Sequence, residues 1–321
     1  MKDERTKNSQ LRNNEYFRKQ FEQDYLYKMS KNNHKFDNLI ERILDTDNLR
    51  LAYRNIKGNK GNKAKGASGK NLDWISKMQL RVYLIIAKRL IRNYKPGKIR
   101  RVGIPKPNGK IRYLGIKEPL DKIIEQAIFQ ILEPILSAKF HNNSNGFMKG
   151  RSCRRAVSQM TNYVEKEKPY FVVDIDIKGF FDNVNHEWLM KFLQVVIQDK
   201  NFLRYIKKFL KSGYIEDMKH YETDKGTPQG GLISPILANV YLHYVLDLWV
   251  DKYVKPRCKG EIYYVRYADD FIVMFQYENE AKQFLKVLKE RFAKFNLELE
   301  ETKTRILPFG RFKGTKDNFD F

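Results

Sequence analysis

Cysteine is almost missing from this chain. Cys153 and Cys258 are the only two in 321 residues, with no Cys-x-x-Cys spacing and no histidine at ligand spacing, which argues against a disulfide framework and structural zinc and leaves a reducing compartment as the expectation. Uninterrupted apolar runs are missing too. Nothing approaches the ~20 residues that cross a bilayer, and the N-terminal MKDERTKNSQ is charged with no apolar signal core after it. A cytosolic, soluble protein without membrane association is expected. Proline- or serine-rich linkers and internal repeats are also absent, so no sharp domain boundary is marked.

Acid is scarce in one place. Positions 48 to 117 hold 20 Lys or Arg and a single carboxylate, Asp73. The net charge of +24 is gathered in the first half: 33 basic and 14 acidic residues in positions 1 to 150 give +19, and the remainder carries +5. Such mutual repulsion calls for an external counter-charge, which phosphate supplies. In GNKGNKAKGASGK (58 to 70) the basic residues alternate with Gly, Asn and Ser rather than lining one amphipathic helix, which favours nucleic acid over a membrane surface. With 42% apolar residues the chain buries a sizeable core.

Periodicity then orders the chain. Two helices are expected before residue 57, another around Trp74 to Tyr94, and a β-hairpin in IRRVGIPKPNGKIRYLGI (99 to 116), centred on PNGK. The segment 118 to 132 puts Leu120, Ile123, Ile124, Ala127, Ile128, Ile131 and Leu132 on one helical face, with Pro119 in the first turn. In 169 to 186 the period becomes two: Phe171, Val173, Ile175 and Ile177 face one way, Val172, Asp174 and Asp176 the other. Helices follow at 187 to 198 and 202 to 211, a Gly-rich turn at GTPQGG (226 to 231), a long apolar helix from about 234 to 252, a hairpin EIYYVRYADDFIVMF (261 to 275), an amphipathic helix (280 to 294) and a strand LELEETKTRIL (297 to 307). That order is an α+β layout, a small antiparallel sheet with helices on one face.

Two carboxylates, Asp269 and Asp270, thus sit at the turn of an apolar hairpin. Taken alone this is either a solvated tip or a metal site. If the two acidic strands lie side by side, Asp176 and Asp269 converge, and hard divalent cations held by oxygen would relieve their repulsion.

FVVDIDIKGFFDNVNH, GTPQGGLISPILANVYL and YYVRYADDFIVMF, in this order, resemble the palm motifs of a reverse transcriptase. IPKPNGKIRYLGI, the helix after it and GFMKGRSC resemble the fingers of the group II intron-encoded (maturase) class, and the likeness runs from about residue 50 to the C-terminus. The resemblance implies a right-hand polymerase fold with helical and β-hairpin fingers, an N-terminal extension with fingers over 1–167, and a palm over 168–321 whose helical insertion at about 199–225 packs with the fingers. It implies RNA-directed DNA polymerisation by two-metal nucleotidyl transfer, with two Mg²⁺ ions or Mn²⁺ in their place, and an RNA template with DNA primer, deoxynucleoside triphosphates and group II intron RNA as partners. A homodimer and a bacterial cytoplasm are compatible with it.

Carried over residue by residue, the resemblance makes Asp176, Asp269 and Asp270 the metal-binding catalytic aspartates, joined by the backbone carbonyl of Ile177, with Asp174 in a supporting place behind them. Lys303 matches a lysine that gives a proton to pyrophosphate. Lys106 and Arg112 match the cations that clamp the triphosphate, Gly179 and Phe180 the amides that receive it, Phe181 the residue under the sugar that excludes a 2′-hydroxyl, and Gln229 the lining of the nucleotide pocket. Arg54, Lys57, Lys60, Lys63, Lys65, Lys149 and Arg151 match template or RNA contacts. The sequence stops inside what resembles the next motif, so a thumb is expected to be absent. An RNA-binding splicing cofactor with secondary polymerisation, and another bacterial class such as the retron or diversity-generating types, remain the alternatives.

Overall fold

The structure is a computed structural model that describes residues 16, 18–105, 109, 111–167, 171–216, 219–221, 223–228 and 230–308. Along the chain come helices α1 (Lys19–Lys31), α2 (Leu39–Leu44), α3 (Thr46–Lys57), α4 (Leu72–Ser76) and α5 (Leu80–Arg92). Strands β1 (Arg100–Pro105) and β2 (Ile111–Ile116) precede α6 (Pro119–Ser137), α7 (Cys153–Glu167), strand β3 (Phe171–Ile175), α8 (Phe180–Asn183), α9 (His186–Gln194) and α10 (Lys200–Leu210). The rest is β4 (Tyr214–Glu216), β5 (Lys219–Tyr221), α11 (Ser234–Leu242), the hairpin β6 (Ile262–Tyr267) and β7 (Asp270–Phe275), α12 (Glu278–Ala293) and β8 (Arg305–Pro308).

These elements gather into two compact units, Met1–Lys139 with Leu193–Ser234, and Phe140–Phe192 with Pro235–Phe321. The division differs from one at 167/168: residues 140–167 cluster with the second unit because α7 packs on β6, and 193–234 cluster with the first.

In the first unit α6 is the hub. Pro119 stands at its start, where its missing N–H is not needed, and Ile123, Ile124, Ala127, Ile128, Ile131 and Leu132 are buried. α1 and α3 pack on it. Asp45 caps α3 by accepting the Asp47 and Asn48 amides at 3.1 and 3.0 Å, and Gln130 of α6 donates to Asn48 Oδ1 at 2.8 Å. The expected hairpin forms, in register from Arg100↔Ile116 to Pro105↔Ile111. Where a helical insertion was expected, only α10 is helical. After Gly213 (φ +62°) the chain turns into β4 and β5, and the Ile215 amide donates to Ile99 O at 2.7 Å, giving a sheet ordered β2-β1-β4-β5. Tyr214 and Ile215, both strand formers, complete the β1 edge.

The second unit is built on an antiparallel sheet ordered β6-β7-β3-β8. Its register, Val172↔Met274 with Asp174↔Ile272, and Val265↔Ile272, puts Val172, Asp174, Val265, Ile272 and Met274 on one face. The other face carries Val173, Ile175, Phe271, Val273 and Phe275, and α12 covers it with Phe284 on Phe275 and Phe292 on Phe271. Helices on a single face were expected, but α7 lies on the first: Ala156 joins Val172, Val265, Ile272 and Met274 in one apolar cluster, because those side chains need cover. Two further differences bear on the site. The single strand expected over 297 to 307 is broken: after the Ile177↔Leu299 bridge the Lys303 and Thr304 amides both donate to Glu300 O, and β8 starts at Arg305. The long helix after Ser234 passes into wider π-helical turns at His243–Asp247 and Val250–Val254.

Candidate active site

β3 ends at Ile175, whose partner across the sheet is Phe271. One step further the same register sets Asp176 opposite Asp270, on the face that also carries Asp174. The β6-β7 hairpin closes at Tyr267↔Asp270, so its loop is Ala268-Asp269 alone. Ala268 takes φ +58°, which such a tight hairpin demands. Sequence alternation and turn chemistry therefore put the acids at one end of the sheet.

The broken strand brings cations to them. Lys303 donates to Asp176 Oδ2, and Arg305, paired with Asp174 in the β3-β8 register, reaches Asp174 Oδ2 with Nε at 3.5 Å. A cleft of about 550 Å³ is lined by Asp174, Asp176, Asp270, Phe271, Thr302, Lys303 and Arg305. Asp270 lines this cleft across from Asp176, and Asp269 sits half-buried beside it in the turn. Partial desolvation, then the Asp269 and Asp176 charges, push the Asp270 carboxyl above its usual range. Its hydrogen bond to Asp176 holds the Lys303 ammonium above the ordinary lysine value.

Among the described residues no three His, Cys, Asp or Glu side chains form a ready-made metal cage. The donors still fit a hard cation. Asp176 and Asp270 crowd like charges at one edge, an ammonium already stands against Asp176, and an ion that takes most of its ligands from water and phosphate needs few carboxylates. The bridge at Ile177 is made through Asp176 O and the Lys178 amide, which keeps the Ile177 carbonyl out of that ladder.

Gly179 (φ +54°) precedes α8, and Asn183 Nδ2 braces the turn by donating to Lys178 O and Gly179 O at 3.1 and 3.2 Å. Phe180 is buried, whereas the half-buried Phe181 meets it edge to face at 5.4 Å. Lys149 is exposed. Arg151 turns inward and donates to His141 O and Ser144 O, both at 2.6 Å, a loop-fastening role that its place in GFMKGRSC does not reveal. In the first unit Arg112 lies on β2 opposite Ile104, its side chain outside the described residues, as are Lys106, Gln229 and the side chain of Lys60. Lys57, Lys63 and Lys65 are exposed and Arg54 is half-buried. Gly230 sits at φ +83°, where an added Cβ would fall 2.6 Å from Gly115 O. Sequence reasoning missed Arg305 and Arg266. The signal for Arg266 was a lone cation inside the apolar strand IYYVRY.

An antiparallel sheet that gathers carboxylates at the end of a central strand and a neighbouring hairpin, within a mixed α/β chain, is the right-hand polymerase fold. The solved structure of telomerase from Candida albicans in complex with the TWJ fragment of telomeric RNA shares it, with a TM-score of 0.53 over 78% of this chain and 48% of that one, at 16% identity. This chain belongs to the reverse transcriptase (RNA-dependent DNA polymerase) family, whose model matches residues 104–321. Among its relatives, the group II intron-encoded protein LtrA of Lactococcus lactis subsp. cremoris is 33% identical over 88% of this chain and 57% of its own length. The putative COX1/OXI3 intron 1 protein of Saccharomyces cerevisiae is 31% identical over 70% of this chain and 27% of its own, and protein YkfC of Escherichia coli is 30% identical over 66% and 64%. The chain thus spans little more than half the length of LtrA. No helix among the described residues is long and apolar enough to cross a membrane.

Proposed function

We propose that this chain carries the polymerising site of a bacterial group II intron-encoded reverse transcriptase, which extends a DNA primer on an RNA template in the cytoplasm. The observation that carries the reading is the convergence of Asp176 and Asp270 at one end of the sheet, with the Lys303 ammonium donating to Asp176. Asp176, Asp269, Asp270 and the Ile177 carbonyl would hold two Mg²⁺ ions, which when bound supply an activated primer hydroxyl and a neutralised pyrophosphate. The residues around them orient and select. Gly179 and Phe180 offer backbone amides to the triphosphate, Phe181 sets the floor under the sugar, and Lys106, Arg112 and Gln229 hold the incoming nucleotide. Lys303, released from Asp176, would give its proton to the leaving group. Arg54, Lys57, Lys60, Lys63 and Lys65 meet RNA phosphates, with Arg151 shaping the loop that presents Lys149.

The names of LtrA and of the yeast intron proteins, together with the +19 charge of the first 150 residues, favour a second role beside the first, binding of the parent intron RNA. Asp269→Asn is the direct test. Primer extension with Mg²⁺ should fall by at least ~10³-fold, the scale on which lost charge stabilisation acts, while RNA affinity stays within a factor of two. Wild-type extension by that variant removes the metal-ligand assignment. In the same assay Phe181→Ala should admit ribonucleotides, and unchanged sugar discrimination would leave Phe181 as packing alone.

A further inference from the structure

Beneath the acidic turn, on the sheet face opposite Asp176 and Asp270, lies a fully buried guanidinium. Arg266 has no exposed surface. Its Nε and Nη2 donate to the two oxygens of the buried Asp247 at 2.8 and 2.6 Å, a bidentate pair that fixes the plane of the fork. Its Nη1 donates to Asn239 Oδ1 at 2.8 Å and to the Ala268 carbonyl at 2.7 Å. The loop before α7 closes the arrangement from the side. Arg266 N donates to Asn143 O at 2.9 Å, Asn145 N donates to Arg266 O at 2.8 Å, and Asn239 Nδ2 donates to Gly146 O at 2.7 Å. Gly146 presses on the turn so closely that an added Cβ would lie 2.4 Å from the Ala268 nitrogen.

Ala268 needs such a hold. A non-glycine residue at φ +58° occupies a region that L side chains disfavour, and a two-residue loop has little else to keep it there. The direction of Ala268 sets the directions of Asp269 and Asp270.

We infer that Arg266, anchored by Asp247 and Asn239, is a positioning residue that holds Ala268 in its left-handed conformation and thereby aims the Asp269-Asp270 pair. It touches no reacting atom and acts through the turn backbone. The inference rests on the polymerase reading only for its kinetic arm.

The test compares wild type, Arg266→Lys, Gly146→Ala and Arg266→Lys combined with Ala268→Gly. Hydrogen exchange over 262–275 is measured in the metal-free protein, Mn²⁺ binding by electron paramagnetic resonance, and primer extension across a Mg²⁺ titration. Lysine keeps the charge but loses the fork. Arg266→Lys should speed exchange at the turn at least tenfold, weaken Mn²⁺ binding severalfold, and lower kcat at least tenfold with a higher half-saturating Mg²⁺, leaving the nucleotide KM within a factor of two. Glycine occupies positive φ without strain, so adding Ala268→Gly should recover most of the severalfold loss in Mn²⁺ binding and about tenfold in kcat. A merely structural arginine would show no such rescue. Wild-type exchange and Mn²⁺ affinity in a folded Arg266→Lys, or no recovery in the double variant, overturns the inference. Should Arg266→Lys not fold, Gly146→Ala decides alone: it removes no polar partner and is expected to show the same losses, and wild-type behaviour there is equally fatal. A wild type that binds Mn²⁺ but extends no primer sinks the polymerase reading and leaves the exchange and Mn²⁺ arms to judge Arg266.

Discussion

Asp247 and Arg266 show what a single buried charge commits a fold to. Burial works against the Asp247 carboxylate, yet Arg266 with help from His243 holds it down at about 2. A carboxyl whose value is depressed on folding adds stability that is complete above its ordinary value near 4 and is lost as pH falls through about 2; the shift corresponds to about 2 kcal/mol. Removing one member strands the other without water or a counter-charge. Asp247→Asn should therefore cost about 3–5 kcal/mol at pH 7, and its deficit against wild type should shrink as the pH of a denaturant titration is taken from 5 to 2. A deficit that does not change over that interval would show that the pair's charge contributes nothing. Lys303 makes the contrast. Its ammonium is mostly exposed, so its bond to Asp176 should be worth no more than ~1 kcal/mol to folding, and its value to the protein lies in where it stands.

Elements decide which side chains can meet. Gly230 allows the turn before α11 to pass within van der Waals range of the β2 backbone, and both its φ and the 2.6 Å that a Cβ would leave to Gly115 O refuse a side chain. Gly230→Ala should destabilise the protein by about 1–3 kcal/mol, read as a lower midpoint in urea with an unchanged m-value. At this scale much was legible in the sequence. The period-two run 171 to 177 assigned Asp174 and Asp176 to one face, the apolar stripe of α6 was plain, and both hairpins announced themselves by turn residues between strand formers. What escaped had a tertiary cause. β4 exists because the β1 edge was open to receive it, α7 is drawn to a face whose apolar residues come from three separate strands, and the turn at 301 to 303 interrupts a strand whose alternation reads smoothly through it. That last break matters most for the site, because it is what delivers Lys303 to Asp176. The Arg266 clamp was hidden for the same reason. Its partners Asn239 and Asp247, and Gly146, which accepts from Asn239, come from other elements, and only the fold puts them under one turn.

At the scale of the whole chain, charge separates labour. The carboxylate cluster belongs to the second compact unit, whereas the basic run 48 to 117, with its single acid, belongs to the first. A polyanion bound to that run releases its condensed counterions, so affinity must fall with salt in proportion to the phosphates neutralised. Lys57, Lys63 and Lys65 are exposed, and Lys57 extends over the Tyr53 ring at 5.9 Å, next to a surface on which a base could stack. Replacing all three by Gln leaves the buried faces of α3 and α6 untouched, so the melting temperature should stay within about 2 °C while RNA binding weakens. The informative quantity is the slope of log K against log salt. For single-stranded RNA each lost contact should flatten it by about 0.7, up to ~2 for the triple variant. An affinity loss with the slope unchanged would mean that these lysines act through shape rather than charge, and the loop at 58 to 70 would then cease to be the polyanion-binding element that its composition advertises.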